Sequence, residues 1–177
     1  MSFFAKLFKP RTKHVNITIC GLDKAGKTTI VRYLIAGEHK ETIPTMGVNR
    51  EVIDLPKLKM DIYDLGGQED FRGMWGDINE KSDGLIYVID SSDVMRLDES
   101  KQIFHKIINT QIDQMIPVMI LLNKADLAEK ISRADFVNQF ELSQLSNIKW
   151  ACFETSAITG AGIYQAFKWF IDTFQED

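Results

Sequence analysis

The sequence predicts an α/β fold with a six-stranded, mainly parallel sheet, one antiparallel edge strand and helices on both faces. Two observations support this prediction. Short β-like apolar runs alternate with longer helical stretches from Val15 onward, a pattern typical of a parallel sheet covered on both sides. The second and third apolar runs are separated only by Pro56 and Lys57. Because two residues cannot form a parallel crossover, these runs must form an antiparallel hairpin.

The predicted strands cover residues 15–20, 48–55, 58–64, 85–90, 118–122 and 150–153. The predicted helices cover residues 27–36, 95–109, 133–142 and 161–174. Ligands of such sheets bind on loops at the carboxyl ends of the strands. The polar and glycine-rich motifs of this chain fall on those loops.

The 177 residues and 20.2 kDa are enough for one domain with a substantial core. We assign residues 15–177 to this domain and residues 1–14 to a basic N-terminal arm. The arm holds 4 of the 21 Lys and Arg residues and no acid, so the remaining 17 bases face all 25 acids, a net charge of −8. The acidic body argues against nucleic-acid binding, whereas the short basic arm suits an anionic membrane surface.

The two cysteines, Cys20 and Cys152, each lie in an apolar segment and are too few for a metal site or a disulfide framework. This usage predicts a reducing compartment. No apolar run approaches the roughly 18 residues that a membrane span needs. We therefore expect a cytoplasmic protein.

Residues 21–28, Gly-Leu-Asp-Lys-Ala-Gly-Lys-Thr, match the phosphate-loop pattern G-x-x-x-x-G-K-[ST] between a predicted strand and a predicted helix. The glycines let backbone N–H groups point at phosphates, Lys27 adds a positive charge, and Thr28 offers a hydroxyl to Mg²⁺. Alone, the motif could be a glycine turn before an amphipathic helix. The candidate nucleotide-binding residues are Asp23, Lys24, Ala25, Gly26, Lys27, Thr28 and Thr29.

A second motif, Asn123-Lys124-Ala125-Asp126, follows the predicted strand 118–122. The Asp126 carboxylate can accept hydrogen bonds from guanine N1–H and N2–H₂, whereas adenine offers no donor there. After the last strand, Ser156 and Ala157 join the candidate site, with the Ala157 N–H placed to reach guanine O6. The two motifs together predict binding of GTP and GDP.

The segment between these motifs carries candidate residues for magnesium binding and catalysis. A Thr45 hydroxyl completes a Mg²⁺ shell only while a γ-phosphate holds its loop, which makes that loop a nucleotide sensor. Asp64 ends an apolar strand and is expected to reach Mg²⁺ through water. Gly67 can place its N–H against the γ-phosphate, and Gln68 can orient the attacking water. The candidate metal set is thus Thr28, Thr45 and Asp64, and the candidate catalytic set is Gln68, Lys27 and Gly67.

With these motifs in place, the chain resembles the ADP-ribosylation factor (Arf and Arf-like) family of small GTPases along essentially its whole length. The resemblance rests on GLD at 21–23, AGKTT at 25–29, TIPTMGVN at 42–49 and DLGGQE at 64–69, followed by Trp75. It implies the small-GTPase P-loop fold and a monomeric switch in vesicle trafficking that loads GTP, associates reversibly with cytosolic membrane faces and recruits effectors. It also implies an exchange factor and a GTPase-activating protein acting in trans.

Three departures from the family pattern stand out. Ser2 replaces the glycine that is myristoylated in other members, so that lipid anchor is not expected. Lys24 replaces a small residue and adds positive charge near the phosphates. The effector surface, aromatic at three positions in typical members, is Val48, Tyr63 and Ile78 here.

The N-terminal arm contains a short amphipathic stretch that ends at Pro10. On a helical wheel its apolar residues cluster within about 140°, opposite Ser2, Lys6 and Lys9; they are Phe3, Phe4, Leu7 and Phe8. One interpretation is a membrane-surface helix that is released when GTP binds. In family members, the hairpin that spans residues 48–64 here slides in the GTP state and fills the groove that sheltered this helix. The other interpretation is a helix packed permanently on the body.

Three functions are compatible with a phosphate loop. A GTP-hydrolysing switch explains both nucleotide motifs and the sensor residues. A nucleotide-bound adaptor that does not cycle would have no need of Thr45, Gly67 and Gln68. A small-molecule kinase would leave Asn123 and Asp126 unexplained, and the sequence has no arginine-rich lid segment.

Overall fold

The computed structural model describes residues 12–175. Within this range six strands form one sheet in the order β2-β3-β1-β4-β5-β6. They are β1 Lys13–Cys20, β2 Val48–Leu55, β3 Leu58–Leu65, β4 Gly84–Asp90, β5 Val118–Asn123 and β6 Trp150–Glu154. Only the β2–β3 pair is antiparallel, and β2 is an edge strand. The predicted fold class is therefore confirmed.

The α-helices of residues 12–175 lie between these strands and after β6. They are α1 Lys27–Ala36, α2 Trp75–Asn79, α3 Leu97–Thr110, α4 Arg133–Gln139 and α5 Ile163–Asp172. Short 3₁₀ segments occur at Glu69–Met74, Val94–Arg96 and Leu142–Gln144. The sequence did not predict α2 or the 3₁₀ segment before it, because segments of five and six residues carry little helical periodicity.

Four predicted helix boundaries were wrong by two or three residues, one of them the end predicted at residue 174, since α5 ends at Asp172. The helix predicted from residue 95 begins at Leu97, because Val94–Arg96 forms a 3₁₀ turn first. The helix predicted to residue 142 ends at Gln139, close to Glu141, whose φ of 54° lies in the left-handed region. The helix predicted from residue 161 begins at Ile163, after Gly162 with a φ of 73°.

Both faces of the central strands are buried, which explains why β4 and β5 read as continuous apolar runs. On one face, α1 and α5 pack through Ile30 and Phe170 against the alternate residues of β1 and β5. On the other face, α3 and α4 pack through Phe104 and Phe136. This double cover fixes the central strands and leaves their carboxyl ends to carry the loops of the site.

The start of β1 lies beside the β2–β3 turn, where the Lys13 N–H donates to the Lys57 carbonyl over 2.9 Å. The predicted arm, including its apolar residues Phe3, Phe4, Leu7 and Phe8, lies outside the described residues except for its last three positions. β1 therefore begins at Lys13, two residues before the predicted start of the domain. None of the helices within residues 12–175 is long and apolar enough to span a bilayer.

Candidate functional site

A cavity of about 370 Å³ opens at the carboxyl ends of β1, β3 and β5, within the size range of ligand pockets. It brings together residues from segments that are far apart in the chain. The predicted residues that line it are Asp23, Lys24, Gly26, Lys27, Thr28, Thr29, Thr45, Gly67, Gln68, Asn123, Lys124, Asp126 and Ala157.

Three predicted residues do not line the cavity directly. Ala25 is buried, and its carbonyl accepts a hydrogen bond from Asn123 Nδ2 over 2.8 Å. Ser156 is buried and uses its N–H and hydroxyl to shape its own loop. Asp64 lies buried at the end of β3, behind two cavity-lining threonines. Five lining residues were not among the predicted site residues, although three of them, Thr42, Ile43 and Pro44, lie in the motif at 42–49; the other two are His39 and Ile158.

The phosphate-loop segment wraps around the ammonium group of Lys27, which lies in the first turn of α1. Lys27 Nζ donates to the carbonyls of Gly21 and Leu22, each over 2.9 Å. The side chain is 5% exposed, and burial lowers the pKa of Lys27 although nearby Asp64 acts in the opposite direction. The loop requires glycine at Gly26, since a Cβ there would lie 2.3 Å from Asn123 Nδ2. The single positive charge of Lys27 is thus held by two backbone carbonyls of the loop, in a side chain that lines the cavity.

Lys24 adopts a left-handed conformation, with a φ of 63°. For a non-glycine residue this costs roughly 1–2 kcal/mol relative to a right-handed conformation. Its side chain is exposed and lines the cavity. The loop therefore presents a second lysine to the cavity.

The Asn123 side chain joins its own loop to the phosphate loop and to the loop after β6 by hydrogen bonds. In addition to its bond to Ala25, its Oδ1 accepts from the Ala157 N–H over 3.1 Å. The Ala157 N–H, predicted to reach guanine O6, is thus occupied by this amide in the structure. Lys124 Nζ contacts Asp90 Oδ2 over 2.6 Å. Burial acts to raise the pKa of Asp90, but hydrogen bonds from Lys124 and Ser92 outweigh it and lower that pKa.

Asp126 differs from the other polar residues of this segment. It is exposed at the cavity, and no residue within the described range of 12–175 donates a hydrogen bond to its carboxylate. Lys124 and Asp90 neutralise each other beside it. The structure therefore leaves the two carboxylate oxygens of Asp126 as free acceptors that face the cavity.

The three predicted metal-binding residues converge at one point. Thr28 Oγ1 lies 2.6 Å from Thr45 Oγ1 and donates to Asp64 Oδ2 over 2.6 Å. Thr45 Oγ1 donates to the same carboxylate oxygen over 3.2 Å. The three oxygens come from α1, the loop before β2, and β3.

Asp64 fits Mg²⁺ through its environment as well as its position. Its other oxygen, Oδ1, is buried and has no hydrogen-bond partner within residues 12–175. Burial raises the pKa of Asp64, while the Thr28 hydroxyl and the Lys27 charge act in the opposite direction. A hydrated hard cation close to this carboxylate would satisfy the orphaned oxygen and favour its charged form. The hydroxyl and carboxylate donors thus match the oxygen ligands that Mg²⁺ takes.

Gly66 and Gly67 bring β3 against both the phosphate loop and the loop before β2. The Gly66 N–H donates to the Gly47 carbonyl over 2.8 Å, and the Gly66 carbonyl accepts from Trp75 Nε1 over 3.1 Å. A Cβ on Gly67 would lie 2.4 Å from the backbone nitrogen of Asp23. Only glycine permits this approach. Gln68 follows, exposed and facing the cavity.

Arg72 is a site-shaping residue that the sequence did not reveal. Its Nε donates to the Gly67 carbonyl over 3.0 Å, and its Nη1 lies 2.8 Å from Glu99 Oε1 on α3. This bridge holds the Gly67 peptide from the side opposite the phosphate loop. No motif spacing links residues 67, 72 and 99, so only the folded chain reveals the contact.

The predicted effector positions are only partly exposed. Val48 is 39% exposed, whereas Tyr63 and Ile78 are half-buried against the core that contains α3. Larger exposed apolar side chains lie on the segments that flank them, at Ile43, Met46 and Met74. The apolar surface near the cavity is thus broader than the three predicted positions.

Comparison with known proteins gives a consistent result. The model of the ADP-ribosylation factor family matches residues 1–174. ADP-ribosylation factor F of Dictyostelium discoideum is 37% identical over 174 residues, which cover 96% of this chain and 92% of that protein. ADP-ribosylation factor 3 of Arabidopsis thaliana is 36% identical over 163 residues, which cover 92% of this chain and 90% of that protein.

A solved structure, the Arl6 BBS3 small GTPase of Trypanosoma brucei with the bound nucleotide analogue GppNp, superposes with a TM-score of 0.83. The two sequences are 26% identical, and the match covers 93% of this chain and 99% of the Trypanosoma brucei chain.

The close approach of Gly67 to the phosphate loop generates a first prediction. We expect Gly67→Ala to raise the dissociation rate of a GTP analogue roughly tenfold, since the added methyl group collides with loop backbone, and to change GDP dissociation much less. Fluorescent-nucleotide dissociation assays measure both rates. Gly73→Ala is the control, because nothing lies within 4 Å of a Cβ there. An equal effect of Gly67→Ala on both nucleotides would contradict a role confined to the γ-phosphate.

Proposed function

The chain belongs to the ADP-ribosylation factor family of small GTPases, and we propose that it is a switch that recruits effectors to membranes while GTP is bound. The observation that carries this proposal is the convergence of Thr45 with Thr28 and Asp64. It links the loop before β2 to the residues suited to Mg²⁺. A loop held in this way reports which nucleotide is bound.

We assign the phosphate end of the nucleotide to the loop 21–28 and to Gly67. Lys27 supplies positive charge, and the loop and Gly67 N–H groups donate to phosphate oxygens. Thr28 and Thr45 would bind Mg²⁺ directly and Asp64 through water. A Mg²⁺ ion held there would supply positive charge that offsets the charge developing on the phosphate oxygens during hydrolysis.

We assign the base end to the loop that carries Asn123, Lys124 and Asp126. The free carboxylate of Asp126 is the acceptor that reads the two guanine donors. Asn123 positions the loops, because both ends of its amide are already hydrogen-bonded to Ala25 and Ala157. Guanine specificity therefore rests chiefly on Asp126.

Hydrolysis is the timer of this switch, and we expect it to be slow in the isolated protein. Gln68 orients the attacking water. Among the described residues that line the cavity, none is an arginine, so the charge of the transition state lacks the arginine that accelerates such reactions. An activating protein that supplies one in trans contributes roughly 10³- to 10⁵-fold.

Membrane association is proposed to use the N-terminal arm, with Phe3, Phe4, Leu7 and Phe8 buried among lipids. Each such side chain contributes roughly 1.5–3 kcal/mol before ordering costs are subtracted. The Lys13–Lys57 hydrogen bond joins the base of the arm to the tip of the β2–β3 hairpin. A shift of that hairpin with the bound nucleotide would therefore act directly on the arm.

Effector binding is proposed for the surface around Val48, Tyr63 and Ile78. The exposed side chains of Met46 and Ile43 lie on the same loop as Thr45. Because Thr45 is held by the nucleotide site, this apolar surface changes when the loop is released. An exchange factor and an activating protein are expected to bind close by, where they reach the cavity.

The timer is tested by single-turnover phosphate release. We expect the isolated protein to hydrolyse GTP more slowly than about once per minute, and Gln68→Leu to remain GTP-loaded for at least tenfold longer. Gln102→Leu, on the exposed face of α3, is the matched control. Fast multiple turnover by the isolated protein would contradict the slow timer. Unchanged hydrolysis by Gln68→Leu would refute the assignment of Gln68.

The membrane switch is tested by liposome flotation with GDP or a non-hydrolysable GTP analogue. We expect flotation with anionic vesicles in the GTP form only, its loss in Phe4→Glu, and weakening by salt, since the arm's charges are screened. Tyr164→Glu, a change on the exposed body surface, should float like the unaltered protein. Equal flotation in both nucleotide states would contradict the coupling and leave the GTPase assignment standing.

A further inference from the structure

Asp23 places a carboxylate in a loop whose proposed task is to bind phosphates. It lines the cavity, and its backbone nitrogen lies beside Gly67, at the end of the site assigned to the γ-phosphate. A carboxylate directed at that position would repel the nucleotide. The direction taken by its side chain therefore matters for binding.

In the structure the carboxylate is held by Arg96, 73 residues further along the chain. Arg96 Nη1 donates to Asp23 Oδ1 over 2.7 Å, and Nη2 donates to the Asp23 carbonyl over 3.2 Å. Its Nε donates to Asp93 Oδ2 over 2.6 Å. The guanidinium is thus fixed by Asp93 at the turn between β4 and α3 and binds both the side chain and the backbone of Asp23.

The charges around Asp23 determine how its contact with Arg96 affects the cavity. Asp90 is paired with Lys124, and Asp64 is bonded to Thr28. With Asp23 taken by Arg96, Lys24 faces the cavity with no anionic partner among residues 12–175. The loop consequently presents the side chains of two lysines, Lys24 and Lys27, to the proposed phosphate site.

We propose that Arg96 is a positioning residue that holds the Asp23 carboxylate away from the phosphate chain. The proposal rests on the guanine-nucleotide binding proposed above. Without Arg96, the carboxylate is free to turn toward the γ-phosphate or to pair with Lys24, and either change makes the site less positive. Asp23 lies beside Gly67, at the position assigned to the γ-phosphate. The loss of binding affinity is therefore larger for GTP than for GDP.

A double-mutant cycle tests this role. We expect Arg96→Gln to raise the dissociation rate of a fluorescent GTP analogue roughly tenfold, and that of GDP less than about threefold. Adding Asp23→Asn should bring GTP dissociation back to within about twofold of the unaltered protein, because the phosphate loop then carries no carboxylate that could turn toward the phosphates. Arg96→Lys, which keeps the charge, should have a smaller effect than Arg96→Gln.

Lys168→Gln is the control, since Lys168 forms a 2.6 Å ion pair with Asp172 on α5, away from the cavity. It should leave both rates unchanged. If the double variant releases GTP as fast as Arg96→Gln, Arg96 only supports the fold and the proposal is wrong. No change in Arg96→Gln would also overturn it. Nucleotide retention by the unaltered protein is measured first. If it does not retain guanine nucleotides, the proposed function itself is wrong, which is a different result from a failure of the Arg96 proposal.

Discussion

The contact on which the switch depends is the hydrogen bonding of two threonine hydroxyls to one buried carboxylate. Asp64 ends β3, Thr28 begins α1, and Thr45 lies in the loop before β2, so a single oxygen of Asp64 joins three parts of the chain. A carboxylate is costly to bury unless hydrogen bonds or a cation compensate it. Thr28 supplies part of that compensation, and the Thr45 loop or a bound ion adds to it.

The sheet separates a rigid part from a part that can move. β1, β4 and β5 have neighbours on both sides and apolar cover on both faces. β2 is an edge strand that pairs only with β3, and its residues alternate between exposed and half-buried. Local opening favours segments with few buried contacts. Any rearrangement linked to the nucleotide is thus expected in β2, its hairpin turn and the Thr45 loop, while the phosphate loop stays fixed.

The sequence predicted most of the site because its chemistry depends on residue type at short spacing. Gly26 and Lys27 are fixed by what a backbone cradle for phosphates requires, and their positions after β1 follow from the strand pattern. The sequence could not reveal Arg72 or Arg96, which act through contacts with Gly67 and Asp23 that arise only on folding. The end of α4 was misplaced for a local reason, since a left-handed residue such as Glu141 carries no distinct sequence signal.

The central claim is that Thr45 senses the γ-phosphate through the metal site it shares with Thr28 and Asp64. The most direct test measures the release of GDP and of a GTP analogue from Thr45→Val while Mg²⁺ is raised from micromolar to millimolar concentration. Thr45→Val should lose most of the slowing of GTP release by Mg²⁺ and keep the slowing of GDP release, and Thr45→Ser should behave like the unaltered protein. If Thr45→Val keeps the full Mg²⁺ dependence of GTP release, the Thr45 hydroxyl is not the sensor.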